Sequence, residues 1–133
     1  MDDRYRRGLD LLNTLDREQG VRILASLQDV APDFARYVVE FAFGDICSRP
    51  GLDLKTREIA TIAALTALGT APAQLRVHIR AALNLGCTRE EVTETIMQMA
   101  VYAGFPAALN GFAAAREVFA TERDPGSTDH SST

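Results

Sequence analysis

Apolar residues recur at helical spacing along most of the chain, and this periodicity is the strongest constraint on its fold. Leu75, Ile79 and Ala82, for example, fall on one face of a helix, and His78 stands beside that face. The sequence lacks the period-two runs of β-branched residues that would indicate strands. The pattern therefore predicts an all-α fold of about six to seven helices that oligomerises through helix packing.

Capping residues, prolines and glycines mark where these helices begin and end. Thr88 and Glu91 have the spacing of a capping box, and so do Asp16 and Gln19. Pro32 suits the first turn of a helix, where its missing N–H costs no hydrogen bond. The predicted helices cover about residues 3–14, 16–28, 32–46, 55–68, 72–85, 88–103 and 106–119.

A chain of 133 residues is large enough to form one domain with a substantial core. We expect a single helical domain over residues 1–121. Residues 122–133 are small and polar, with no apolar residues to anchor them, and are predicted to be a disordered tail.

Charge and apolar content argue against nucleic acid and membranes as partners. The net charge is −4, and the fourteen basic residues are scattered among acidic ones. No apolar run approaches the roughly 20 residues needed to cross a bilayer, and the charged start of the chain does not resemble a secretory signal. Cys47 and Cys87 stand far apart, which is typical of free thiols in a reducing compartment, so a cytoplasmic location is predicted.

Four motifs in a fixed order resemble one known family: SRPGL, LRVHIRAALN, GCTREE and YAGFPAALN. Together they are similar to the carboxymuconolactone decarboxylase family, over about residues 41–119. The resemblance implies an all-α fold of the alkylhydroperoxidase-D type that assembles into trimers or hexamers. It also implies one of two chemistries. One branch of the family decarboxylates 4-carboxymuconolactone in aromatic degradation without a cofactor. The other branch reduces peroxides through a CxxC pair near a histidine and a glutamate.

The chain departs from the peroxidase branch at the position where the chemistry would occur. Between Glu58 and His78 it reads ALTALGTAPAQLRV, which contains no cysteine. Because thiol–disulfide cycling needs an attacking and a resolving thiol, the sequence favours a decarboxylase acting on a small carboxylated lactone or related cyclic acid. Two alternatives stay open: a thiol-dependent peroxidase using Cys47, Cys87 or both, and a non-catalytic ligand-binding family member.

His78 and Glu58 are the predicted catalytic residues. The resemblance places His78 on the family's active-site histidine, where it would deliver the proton that the dienolate takes up at carbon after CO2 is lost, or would hold the developing charge. Glu58 matches the glutamate that pairs with the histidine in the peroxidase branch of the family, a residue that the decarboxylase branch does not always keep, and it would orient the His78 ring. Without the resemblance, His78 could equally be a hydrogen-bonded core or interface histidine, and Glu58 a residue that stabilises the start of its helix.

Five further residues are predicted to bind the substrate. Arg49 and Arg57 flank the turn before a helix and could hold a carboxylate, although each could instead be a surface arginine. Cys47 would enlarge the pocket or offer a nucleophile, or it is simply a small buried residue. Tyr102 and Asn110 would line the pocket with a hydroxyl and an amide.

No cofactor is implied, and a single histidine in the folded part predicts no metal site.

Overall fold

The computed structural model describes residues 3–121, and within this range the chain is built from helices without strands. The all-α prediction is confirmed. The predicted tail, 122–133, lies outside the described residues. The helices are α1 (Asp3–Ser26), α2 (Pro32–Tyr37), a π-helix (Val38–Cys47), α3 (Leu54–Leu68), α4 (Pro72–Asn84), α5 (Arg89–Ala103) and α6 (Phe105–Thr121).

The capping residues sit at helix starts as the sequence predicts. The Thr88 hydroxyl accepts from the Glu91 N–H at 3.0 Å, while the Glu91 carboxylate accepts from the Thr88 N–H at 2.9 Å. Asp16 accepts from the Gln19 N–H at 3.2 Å but leaves helical geometry, with φ −165° and ψ 95°. The two predicted N-terminal helices therefore form one element, α1, with a kink at Asp16.

The segment predicted as one α-helix over 32–46 is instead a short α-helix followed by a ten-residue π-helix, Val38–Cys47. A π-helix forms hydrogen bonds from residue i to i+5 and is therefore wider than an α-helix. The Ser48 hydroxyl adds a bond of the same span, donating to the Phe43 carbonyl at 2.6 Å.

The chain divides into two compact units, one ending at Arg57 and the other beginning at Glu58. In the first unit, α1 packs against the π-helix through two glycines, Gly8 and Gly44. A Cβ on Gly8 would collide with the Val39 carbonyl oxygen, which shows that the two backbones are in contact. Arg4 also bonds to both carboxylate oxygens of Asp45, at 3.0 and 2.8 Å.

The core of the second unit is made by α4, α5 and α6, with Ile62 contributed by α3. The face predicted from Leu75, Ile79 and Ala82 is buried, which confirms the periodicity argument. The buried cluster comprises Ile62, Leu75, Ile79, Ala82, Leu83, Cys87, Val92, Ile96, Ala108, Ala114, Ala115 and Val118. Within residues 3–121, no helix has both the length and the apolar character that crossing a membrane would require.

Candidate functional site

Glu58 and His78 form a hydrogen-bonded pair between α3 and α4. The distance between Glu58 Oε2 and His78 Nδ1 is 2.8 Å. The Glu58 side chain is only 6% exposed, whereas the His78 ring is 24% exposed. The pair therefore has a buried carboxylate behind an imidazole that solvent can partly reach.

The pair assigns different roles to the two ring nitrogens. When Glu58 is ionised it can only accept hydrogen bonds, and Nδ1 then donates the hydrogen of this bond. The other nitrogen, Nε2, has no hydrogen-bond partner within the described residues 3–121. His78 is thus oriented on one side and available for proton transfer on the other.

The start of α3 does not depend on Glu58. Asp53 provides the cap: its Oδ1 accepts from the Thr56 N–H at 2.8 Å. Glu58 lies beyond this first turn and faces the same side of α3 as Ile62 and Thr66, which are also buried. Asp53 rather than Glu58 therefore caps α3, and the hydrogen-bond partner of the Glu58 side chain is His78.

Three of the predicted substrate-binding residues belong to the first unit. The Arg57 Nη2 group donates to the Arg49 carbonyl oxygen at 3.0 Å, so this guanidinium is tied to the turn before α3. The Arg49 side chain is exposed. Cys47 is half-buried at the end of the π-helix, and neither Cys47 nor Cys87 forms a disulfide.

The other two, Tyr102 and Asn110, belong to the second unit, and within residues 3–121 neither forms a hydrogen bond with Glu58 or His78. Tyr102 is 79% exposed near the end of α5. Asn110 lines a small cavity of about 20 Å³, together with Thr66 and Gly111. His78 is not among the residues that line this cavity, and its volume is far below the 300–1,000 Å³ typical of ligand pockets.

Thr66 is a buried polar residue that was not predicted from the sequence. It is 1% exposed, and its hydroxyl oxygen has no hydrogen-bond partner within residues 3–121. The signal that could have revealed it is spacing: Glu58, Ile62 and Thr66 follow one another every four residues, which puts two polar side chains on an otherwise apolar face.

The described residues contain no group of three or more histidine, cysteine, aspartate or glutamate side chains placed to hold a metal ion. A hydrogen-bonded carboxylate and imidazole can pass a proton to or from a molecule bound beside them.

Several known proteins are similar in sequence to this chain. The chain is 41% identical over 119 residues to a 4-carboxymuconolactone decarboxylase from Acinetobacter baylyi, covering 89% of this chain and 88% of the relative. It is 38% identical over 100 residues to an uncharacterised 15.0 kDa protein from Paracoccus denitrificans, covering 74% and 75% of the two chains. It is 36% identical over 72 residues to a nitrosuccinic acid decarboxylase from Metarhizium robertsii, covering 54% of this chain and 50% of that protein.

Residues 32–117 also match the family model of the carboxymuconolactone decarboxylases, a range that includes the four motifs and both members of the Glu58–His78 pair. Together with the relative that aligns over most of both chains, this match shows that the chain belongs to the carboxymuconolactone decarboxylase family.

Proposed function

We propose that the chain is a cofactor-independent decarboxylase that removes CO2 from a small carboxylated lactone or related cyclic acid, with His78 as the proton donor. The observation that carries this proposal is the buried Glu58 carboxylate bound to Nδ1 of a partly exposed ring. The names of two relatives, a 4-carboxymuconolactone decarboxylase and a nitrosuccinic acid decarboxylase, support loss of CO2 as the reaction class.

The proposed reaction has two steps. The bond between the carboxylate carbon and the ring carbon breaks, and its electron pair moves into the unsaturated lactone to form a dienolate while CO2 leaves. His78, protonated on both nitrogens, then gives the Nε2 proton to carbon, and the product is the enol-lactone. Glu58 holds the ring through Nδ1 during both steps, and solvent returns the proton to Nε2 afterwards.

Arg49 and Arg57 are the proposed anchors for the substrate carboxylate. A guanidinium offers paired donors that match a carboxylate, and the bond from Arg57 to the Arg49 carbonyl limits the motion of one of them. Tyr102, Asn110 and Cys47 stay proposals for the remaining contacts to the substrate.

We also propose that the active form is a homo-oligomer, a trimer or hexamer, working in the cytoplasm. Large apolar side chains are exposed on the second unit, which would be costly in a monomer. They are Leu68, Met97, Val101, Tyr102, Phe105 and Leu109. The absence of a disulfide at either cysteine is consistent with a reducing compartment.

The test is a kinetic comparison on 4-carboxymuconolactone, following CO2 release. We expect His78→Gln to lower kcat at least 100-fold, within the range for loss of a general acid. Glu58→Gln should lower kcat between tenfold and 10⁴-fold with little change in KM, because ring orientation is lost while substrate binding is retained. Nitrogen NMR of the His78 ring should show a changed tautomer balance in Glu58→Gln.

Arg76→Gln is the matched control, since Arg76 lies on the same helix and makes an exposed ion pair with Glu117 at 3.4 Å. We expect this variant to keep wild-type activity. Full activity in His78→Gln would refute the mechanism. No activity of the wild-type protein on lactone acids, with all variants folded, would refute the proposed substrate class.

A further inference from the structure

We propose that the small cavity lined by Thr66 and Asn110 is a binding site for one water molecule, held by these two side chains. The cavity lies between the end of α3, the start of α4 and the first half of α6. The proposal is independent of the decarboxylase function, because His78 does not line this cavity.

The first argument is the Thr66 hydroxyl. Its oxygen is buried and has no hydrogen-bond partner within the described residues. A threonine in a helix commonly bonds its hydroxyl back to a carbonyl of the preceding turn, as Thr95 does with the Glu91 carbonyl at 2.7 Å. Since a buried polar group without a partner is costly, the Thr66 hydroxyl requires a partner other than the residues of 3–121, and a water molecule can supply one.

The second argument is the size of the cavity. Its volume is about 20 Å³, and one water molecule needs roughly 10–15 Å³ of accessible space. Gly111 preserves this space: a Cβ at that position would lie 3.0 Å from Thr66 Cγ2 and 3.4 Å from Thr66 Oγ1. The cavity therefore admits a single small molecule and nothing of substrate size.

The third argument is the chemistry of the walls. The side chains of Thr66 and Asn110 supply hydrogen-bond donors and acceptors, and the other lining residues are apolar or glycine, including Leu75 and Ala107. No charged side chain lines the cavity, which favours a neutral molecule over an ion. A water molecule can both donate and accept, so it can bond to the Thr66 hydroxyl and to the Asn110 amide together.

The experiment is the exchange of the Thr66 hydroxyl for a methyl group of the same shape. If water bridges Thr66 and Asn110, Thr66→Val removes hydrogen bonds and lowers the thermal midpoint Tm by a few degrees. If the hydroxyl is unsatisfied in a dry cavity, the same change removes a buried polar group and raises Tm, which would overturn the proposal. Thr93→Val is the control, because the Thr93 hydroxyl donates to the Glu90 carbonyl within its own helix.

Two further measurements locate the water itself. A crystal structure of the wild-type protein should show density within hydrogen-bond distance of Thr66 Oγ1, retained in Thr66→Ser and lost in Thr66→Val. The stability losses of Thr66→Val and Asn110→Ala should not add in the double variant, because both residues hold the same molecule. Additive losses, or an empty cavity in the wild-type crystal, would overturn the proposal.

Discussion

Within residues 3–121, the buried carboxylate of Glu58 has one hydrogen-bond partner, the ring of His78. Burial removes most of its hydration, and the hydrogen bond from His78 Nδ1 replaces part of what is lost. A substitution at position 78 that removes the donor would therefore leave a buried charge without a partner, and it would lower stability as well as activity. Glutamine is the better replacement in a kinetic test, because its amide group can still donate to Glu58.

A second carboxylate, Asp45, makes stability depend on pH. The hydrogen bond from Arg4 holds the pKa of Asp45 below its usual value of 3.8, helped by the positive charges of Arg4 and Arg7. A lowered folded-state pKa gives stability that is present above the unfolded pKa and is lost as pH falls through the folded pKa. We therefore expect Asp45→Asn to be less stable than wild type at pH 7 and to approach it at acidic pH, as the pH falls below 3.8 and through the lowered pKa of Asp45.

Urea denaturation of wild type and Asp45→Asn at pH 7 and at an acidic pH below 3.8 checks this expectation. Asp10→Asn provides the control, because Asp10 is an exposed residue on α1 whose carboxylate makes no ion pair among the described residues. An equal stability difference between Asp45→Asn and wild type at both pH values would contradict the assignment.

At the scale of elements, α1 and the π-helix approach each other closely at two glycines, Gly8 and Gly44. A Cβ on Gly8 would meet the Val39 carbonyl oxygen, and one on Gly44 would meet the Arg4 carbonyl oxygen. Both obstacles are backbone atoms, which cannot rotate away as a side chain can. The packing of α1 on the π-helix therefore requires these positions to have no side chain.

Gly20 in the same helix makes a matched comparison. A Cβ there would lie 3.5 Å from Leu12 Cβ, which is ordinary van der Waals contact. We expect Gly8→Ala to lower the free energy of unfolding by about 1–3 kcal/mol or more, as overpacking does. Gly20→Ala should raise it by about 0.4–1 kcal/mol, because alanine restricts the unfolded chain. Thermal and urea unfolding of the two variants would measure both effects, and a stable Gly8→Ala would disprove the close backbone contact.

The element boundaries show which features of the fold the sequence could predict. Capping at Thr88 and Asp53 was predictable, because a side chain at a fixed spacing satisfies specific N–H groups. The π-helix was not predictable, since its change of hydrogen-bond register leaves no characteristic residue type. At Asp16, the capping pattern indicated a break between two helices, and the structure shows that the break is a kink.

The residues of the candidate site were harder to predict from the sequence than the helix boundaries. Glu58 and His78 were selected by family resemblance rather than by spacing, because helical periodicity does not say which faces of two helices meet. Thr66 was hidden within an apolar stripe, and only the packing against Gly111 shows that its hydroxyl is enclosed. Asn110 was predicted to line the substrate pocket, and this stays a prediction; the cavity that it lines in the structure is the small one beside Thr66.

At the scale of the whole molecule, the exposed apolar side chains of the second unit predict self-association. Val101 and Phe105 are each 76% exposed at the junction of α5 and α6. We expect sedimentation analysis of the wild-type protein to give a trimer or hexamer. Val101→Glu should shift the distribution toward smaller species, because it would place a charge in a desolvated contact.

Gln74→Glu adds the same charge at an exposed polar position of α4 and should leave the assembly unchanged. A monomeric wild-type protein at micromolar concentration would contradict this prediction. It would leave the Glu58–His78 bond in place, because both residues belong to one chain.

The hydrogen bond between Glu58 and His78 joins residues only twenty positions apart, in successive helices with one short connection. A single continuous segment, 54–84, therefore carries both partners of the bond and the turn between their helices. Exchange of this segment between related chains would transfer the pair whole, whereas exchange of another part of the chain would leave it intact.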